Sequence, residues 1–360
     1  MKPEIAHREA VKLRIHVLSH SMEDEALWQN LVERSPRADV YFRPEYLRLS
    51  ETIGGGKTIA LICGDRTPRA LCPLMVRRGP PVSDAFTPYG YGGLLLLSQP
   101  GAESEETSCI LESIRQWCKS EGLVSCLLRM HPLLIDQFRL TGLDAQDFIV
   151  REHGQTTAVD LTQWDSAHQR IAGLKKNRIS DLSYARKSLS VIIAEGADGV
   201  RKHLSTFRDI YEQTMWRLQT RTFYHFPEAY YAELQENLRP YLMLGLASSR
   251  GQYVGASLFL YDHDFAHYHL SGTTVEGRKL KASTLLVNQA AEWARSKGCK
   301  WLHLGGGNHP NDGLSDFKAA FAGAPFPYIY ITIIADHDRY NQLIEATPPI
   351  WPYLASEGAL

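Results

Sequence analysis

The chain has 360 residues, 44% apolar and 22% charged, which is ordinary globular usage with room for about two domains. A formal charge of -1 excludes a surface coated in cations for duplex DNA, although local basic patches stay open. No window approaches the roughly 20 apolar residues of a membrane helix, and the start MKPEIAHREAVKLRI has no apolar h-region, so a cytoplasmic protein with no stable membrane insertion is expected.

In chain order, TIALICG and ALCPLMVRR flank the turn-rich DRTPR and predict a hairpin. A helix is expected from about Ser104 to Glu121 with Gly122 as its stop, then a buried strand at LVSCLLRM and a short β segment at TTAVDL. The polar stretch DLTQWDSA marks the boundary between a first domain of residues 1–160, completed by 335–360, and a second of 161–334. Cys63, Cys72, Cys109, Cys118, Cys126 and Cys299 form no CxxC pair and read as small hydrophobes.

The second half opens on IAGLKKNRISDLSYARKSL, one amphipathic basic helix with Ile171, Leu174, Ile179, Leu182, Ala185 and Leu189 near helical spacing. Helices follow from about Ser205 to Leu218 and at FPEAYYAELQENL, with Pro227 near the first turn of the latter. LMLGLASS and YVGASLFLYD form a hairpin through Arg250-Gly251-Gln252, and FAHYHL is a further strand. STLLVNQAAEWARSKG is a helix with Ser283 near its start and Gly298 past its end, and WLHL and YIYITII complete the sheet.

The segment LHLGGGNHPNDGLSDFKAAFAG, Leu302 to Gly323, resembles the Fem (FemABX-like) family within the GNAT superfamily, where a strand ends in glycines and an L-x-x-F-K-x-x-F helix follows. FTPYGYGG, LKKNRISDLSYARK and YEQTMWRLQTRTFYHFPEAYYAEL agree with it, so the resemblance covers roughly residues 40 to 340. It implies an α/β fold class of two tandem GNAT-like domains, with mixed, largely antiparallel sheets flanked by helices. Substrates of that fold meet where two neighbouring strands splay.

Glycines 305 to 307 are expected to end the strand, Asp312 to cap the next helix, and Leu314, Phe317 and Phe321 to form its buried stripe. Lys318 then sits near the cleft and close to solvent, where an ammonium stabilises negative charge growing on an acyl carbonyl. The plain alternative is a surface lysine pointing into water. In the family the matching Phe-Lys pair contacts the aminoacyl end of the tRNA, which gives Phe317 a substrate-binding role and Lys318 a catalytic one.

Acetyl-CoA enzymes of this fold hold the pyrophosphate in a loop of pattern [QR]-x-x-G-x-[GA] at a helix N-terminus. Here the stretch reads Arg278-Lys279-Leu280-Lys281-Ala282-Ser283, and the central glycine has become Lys281. That favours aminoacyl-tRNA over coenzyme A, with Lys175, Lys176, Arg178, Arg278, Lys279 and Lys281 as phosphate-binding cations. No cofactor is expected beyond aminoacyl-tRNA as co-substrate.

For the acceptor, the resemblance implies an amine of a peptidoglycan precursor or of a small natural-product intermediate, gripped by arginines and tyrosines. Candidates are Tyr89, Tyr91, Arg217, Tyr224 and Arg43. His263, His267 and His269 fall on alternate positions of one strand and are expected on one sheet face, lining a cleft or packing and not binding metal, with His269 accepting the amine proton, binding the acceptor or packing as a neutral ring. The reaction expected is amide formation without a covalent enzyme intermediate, with acyl-CoA-dependent N-acyl transfer and a silent ligand-binding module as the alternatives.

Overall fold

The computed structural model describes residues 13–80, 82–97, 103–307 and 313–346. The chain begins β1 (Ile15–Leu18), α1 (Met22–Arg34), α2 (Pro44–Gly54), β2 (Lys57–Cys63), β3 (Ala70–Arg77), β4 (Asp84–Phe86), β5 (Leu95–Leu96), α3 (Glu103–Ser120) and β6 (Ser125–Arg129). It continues β7 (Phe148–Asp160), α4 (Ala167–Ala172), α5 (Lys176–Ser188), β8 (Ser190–Glu195), α6 (Gly196–Leu218), α7 (Glu228–Glu236), β9 (Leu242–Ser249), β10 (Gln252–Asp262) and β11 (Phe265–Thr273). It closes with α8 (Val275–Lys279), α9 (Ala282–Ser296), β12 (Trp301–Gly306), α10 (Gly313–Ala319), β13 (Ala324–Ile334) and α11 (His337–Ala346). Among the described residues no helix is long and apolar enough to cross a membrane.

Two compact units form. The first takes the chain up to Leu31, Gly56–Glu152 and the stretch from Ile329; the second takes Val32–Gly55 and His153–Tyr328. The first unit's sheet runs β1-β2-β3-β4-β6-β13, with the expected β2/β3 hairpin paired from Lys57↔Val76 to Cys63↔Ala70. Helix α3 places Ile110, Ile114, Trp117 and Cys118 at spacings of three and four, the stripe that joins Leu61, Leu74, Leu128 and Ile331 in the core. Five of the six cysteines are buried, and burial pushes the Cys63 and Cys299 thiols up to about 12, which suits packing and not nucleophilic chemistry.

The second unit's sheet runs β7-β12-β11-β10-β9-β8. Every adjacent pair in it is antiparallel except β11 with β12. The β9/β10 turn has Arg250 at φ 51° and Gly251 at φ 79°, the two left-handed residues of a turn whose twist matches its strands. Helices pack closely because the strands are small beneath them. A Cβ on Gly272 would lie 2.7 Å from the Ile210 carbonyl oxygen of α6, and one on Gly255 would lie 2.8 Å from Ala282 Cβ of α9.

Several elements differ from expectation. The basic helix predicted through Ile171 to Leu189 is two, because the chain turns at Gly173 and drives Leu174 into the core before α5 begins at Lys176. Helix α6 starts at Gly196, not Ser205, and the unforeseen β8 pairs with β9. The strand β12 runs through Gly306 and does not stop at Leu304. The expected cap Asp312 lies outside the described residues.

Segment 32–55 belongs to the second unit because Arg43 anchors it there. The guanidinium grips the Asp262 carboxylate at the end of β10 with Nε–Oδ2 at 2.5 Å and Nη2–Oδ1 at 3.0 Å, and its Cζ stands 4.3 Å from the Tyr241 ring centroid. At 4% exposure Arg43 is buried in this pairing, which gives it a structural role.

Candidate active site

The parallel pairing of β11 with β12 is short. It runs from Phe265↔Trp301 to His267↔His303, and beyond that rung the strands part. Each strand also carries a bulge at the split. On β11 the register against β10 jumps from Leu270↔Leu258 to Tyr268↔Phe259, leaving His269 as the extra residue. On β12 the register against β7 jumps from His303↔Ala158 to Gly305↔Thr157, with Gly305 at φ 75°. Bulges re-aim side chains and end pairing, and they concentrate beside active sites.

His269 projects at this split between three tyrosines. Its Nε2 lies 2.9 Å from the Tyr230 hydroxyl and its Nδ1 3.5 Å from that of Tyr41, while the Tyr46 ring stands edge-on with its centroid 6.2 Å away. Burial, with a contribution from His267, pushes the His269 imidazole down to about 3. The ring is therefore neutral at pH 7, a hydrogen-bonding group and a weak base. In a ring-proton NMR titration His269 is expected to show no inflection between pH 5 and 8. Because its folded value lies below the ordinary one, its contribution to stability is complete above about pH 6.5 and falls as the pH drops toward the folded value. An inflection near 6.5 would contradict the burial of this ring.

His267 has Nε2 2.6 Å from Asp39 Oδ2 and Nδ1 3.2 Å from His303 Nδ1. Both ring nitrogens of His267 are thus engaged by side chains of its own unit. His263, expected on the same face, sits in the β10/β11 turn at φ 45° with Nδ1 2.9 Å from Asp262 Oδ1.

Lys318 lies on α10, whose Phe317 packs edge-on against Phe321 at 5.1 Å. Expected close to solvent, it is only 8% exposed and its ammonium donates to the Gly306 carbonyl oxygen on the parted end of β12. An ammonium has three N–H donors, so an anchor on one carbonyl fixes where the charge stands.

The two basic runs meet. Lys281 Nζ lies 3.3 Å from Asp181 Oδ1 on α5, and Arg178 Nη1 lies 3.1 Å from Asp181 Oδ2 and 3.0 Å from Thr284 Oγ1 on α9. Lys175, Lys176, Arg278, Lys279 and Lys281 are exposed. Arg178 is buried and stacks over Phe317, its Cζ 4.8 Å from the ring centroid. It joins the basic edge to the Phe-Lys helix and is not itself presented to solvent. Lys281 keeps the left-handed conformation, φ 63°, that the missing glycine would supply at the head of α9.

Of the remaining candidates, Arg217 is exposed at the end of α6 with Nη1 2.6 Å from the Thr273 carbonyl oxygen. Tyr224 is half-buried and its carbonyl accepts from the Tyr211 hydroxyl at 3.1 Å. Tyr89 and Tyr91 are half-buried in the first unit, in the turn after β4.

Residues 175–319 match the model of the acetyltransferase (GNAT) domain. The second unit carries a GNAT domain. The GNAT core of residues 175–319 accounts for the split strands. Among solved structures it is similar to FemX, with a TM-score of 0.69 at 14% identity over 92% of this chain and 100% of that one, so its fold is Fem-like. It is also similar to the C-terminal domain of a putative lysylphosphatidylglycerol synthetase from Agrobacterium fabrum, with a TM-score of 0.58 at 14% identity over 90% of this chain and 96% of that one. L-PGS from Bacillus licheniformis gives 0.58 at 11% identity over 91% and 98%. No curated protein sequence matches the chain.

Proposed function

We propose that this GNAT-fold protein moves an aminoacyl group from aminoacyl-tRNA to the amine of a peptidoglycan precursor or of a small natural-product intermediate. The observation that carries the reading is the Lys318 ammonium, held by Gly306 at the parted end of β12 on the helix that Arg178 links to an exposed cluster of cations. The acceptor amine attacks the ester carbonyl carbon, forming the C–N bond. Lys318 stabilises the charge on the carbonyl oxygen, and collapse breaks the ester C–O bond as the amine proton passes to the departing ribose hydroxyl. His269, neutral, holds the amine by a hydrogen bond and does not store its proton.

One similar fold is named as the C-terminal domain of a putative lysylphosphatidylglycerol synthetase, which suits aminoacyl transfer. A second reading, acyl-CoA as donor, draws on Lys281, whose left-handed backbone preserves the turn that cradles a pyrophosphate in other GNAT loops. One mass-spectrometric assay with a mixed charged-tRNA pool, candidate amines and acetyl-CoA separates them. Product that disappears on RNase treatment supports the tRNA reading; product that persists from acetyl-CoA after complete RNA removal defeats it.

Lys175→Ala and Lys176→Ala are expected to raise KM for charged tRNA with little change in kcat, each lowering the slope of log affinity against log salt by about one. Unchanged salt dependence in both would remove this edge from the donor site.

A further inference from the structure

Asp39, His267 and His303 are 0%, 1% and 1% exposed. A carboxylate and two imidazoles so placed are costly to desolvate, and apolar side chains of similar size would pack the same volume at less cost. Their positions give a reason for keeping them. His267 and His303 face each other on the last rung of the β11/β12 pairing, their rings 5.3 Å apart at 80°. Asp39 also accepts from the Val40 amide at 2.7 Å, capping the turn Val40–Phe42 that carries Tyr41.

Two lines lead from this chain to the site. One runs along β12 from His303 through the bulge to Gly306, whose carbonyl holds Lys318. The other runs through Tyr41, edge-on to His267 at 4.8 Å and reaching His269 Nδ1 with its hydroxyl. The carboxylate requires the His267 proton on Nε2, so one further proton, carried by either ring, serves the Nδ1–Nδ1 contact. The arrangement is directional and locks both rings.

We propose that Asp39, His267 and His303 form a buried positioning chain that fixes where β11 and β12 part, and thereby sets His269 and Lys318 against the acyl group. The proposal rests on the reading of the split as the transfer site. None of the three touches substrate; they act through the residues they hold.

The test compares the full chain with its Asp39→Asn variant, which keeps the shape and the cap on Val40 but removes the charge. Without substrate, the wild type is expected to show a far-downfield imidazole N–H proton from His267. The variant is expected to lose it and to displace the His269 ring and Lys318 ammonium signals. With whichever donor turns over, kcat is expected to fall about 10- to 100-fold with KM little changed. His303→Gln, whose amide still donates to His267, is the milder partner and is expected to fall between the two; it also carries the test if Asp39→Asn does not fold. Unmoved His269 and Lys318 signals, or an unchanged kcat once the downfield proton is gone, would overturn the proposal. Absence of transfer from either donor in the wild type would strike the functional reading instead, and the substrate-free signals would still decide the positioning.

Discussion

Lys318→Met is expected to lower kcat by about 100- to 1,000-fold, the cost of removing one preorganised donor from a developing oxyanion. Methionine is close to the lysine stem in length and apolar character but carries no N–H donor, so the loss reports the ammonium. The burial of Lys318 adds a second consequence. Removing the ammonium leaves the Gly306 carbonyl without that donor, which costs about 1–3 kcal/mol of stability. The variant is therefore folded but lower-melting, and the two effects separate because turnover is measured well below the midpoint. A variant that retained wild-type kcat while its melting point fell would make Lys318 a structural residue only.

The second large effect concerns stability. Arg43→Met leaves the Asp262 carboxylate, 7% exposed, without its bidentate partner, and breaking such a pair costs about 3–5 kcal/mol. Arg43→Met with Asp262→Leu is expected to recover a large share of that loss, because it removes the stranded charge along with the pair. The deficit of the single variant depends on pH through His263, whose Nδ1 lies 2.9 Å from Asp262 Oδ1. The hydrogen bond to Asp262 holds the imidazole above its ordinary value, against desolvation. The stabilisation it supplies is complete below about pH 6.5 and is lost as the pH rises through the folded value. Chemical denaturation is thus expected to show a smaller deficit at pH 5.5 than at pH 8, and a deficit independent of pH would remove His263 as a counter-ion.

Local patterning carried much of the fold. The Arg250-Gly251 hairpin, the α9 stripe and the Phe-Lys helix were legible because their signals lie within a few residues of one another. What sequence patterning missed depends on distance along the chain. Asp39 meets His267, and Arg43 meets Asp262, across more than two hundred residues, and no periodicity reports such a contact. Alternation placed His263 with His267 and His269, but the left-handed turn at His263 takes it off the strand.

The bulges at His269 and Leu304 are similarly invisible to period-two patterning, since each inserts a residue that only the partner strand reveals. Amphipathic spacing ran Ile171 to Leu189 into one helix because Leu174 satisfies either arrangement; Gly173 decides for the break. The substitution of Lys281 for glycine reads as a lost anion cradle only while the residue type is taken for the backbone conformation.

The most direct measurement is a crystal structure with an RNA minihelix bearing a non-hydrolysable 3′-aminoacyl amide. The acyl carbonyl oxygen is expected within hydrogen-bonding distance of Lys318 Nζ, in the split between β11 and β12, with the RNA phosphates along Lys175, Lys176 and Lys279. An acyl group bound away from Lys318, or coenzyme A seated on the backbone of residues 278–283 in preference to the RNA, would contradict that placement.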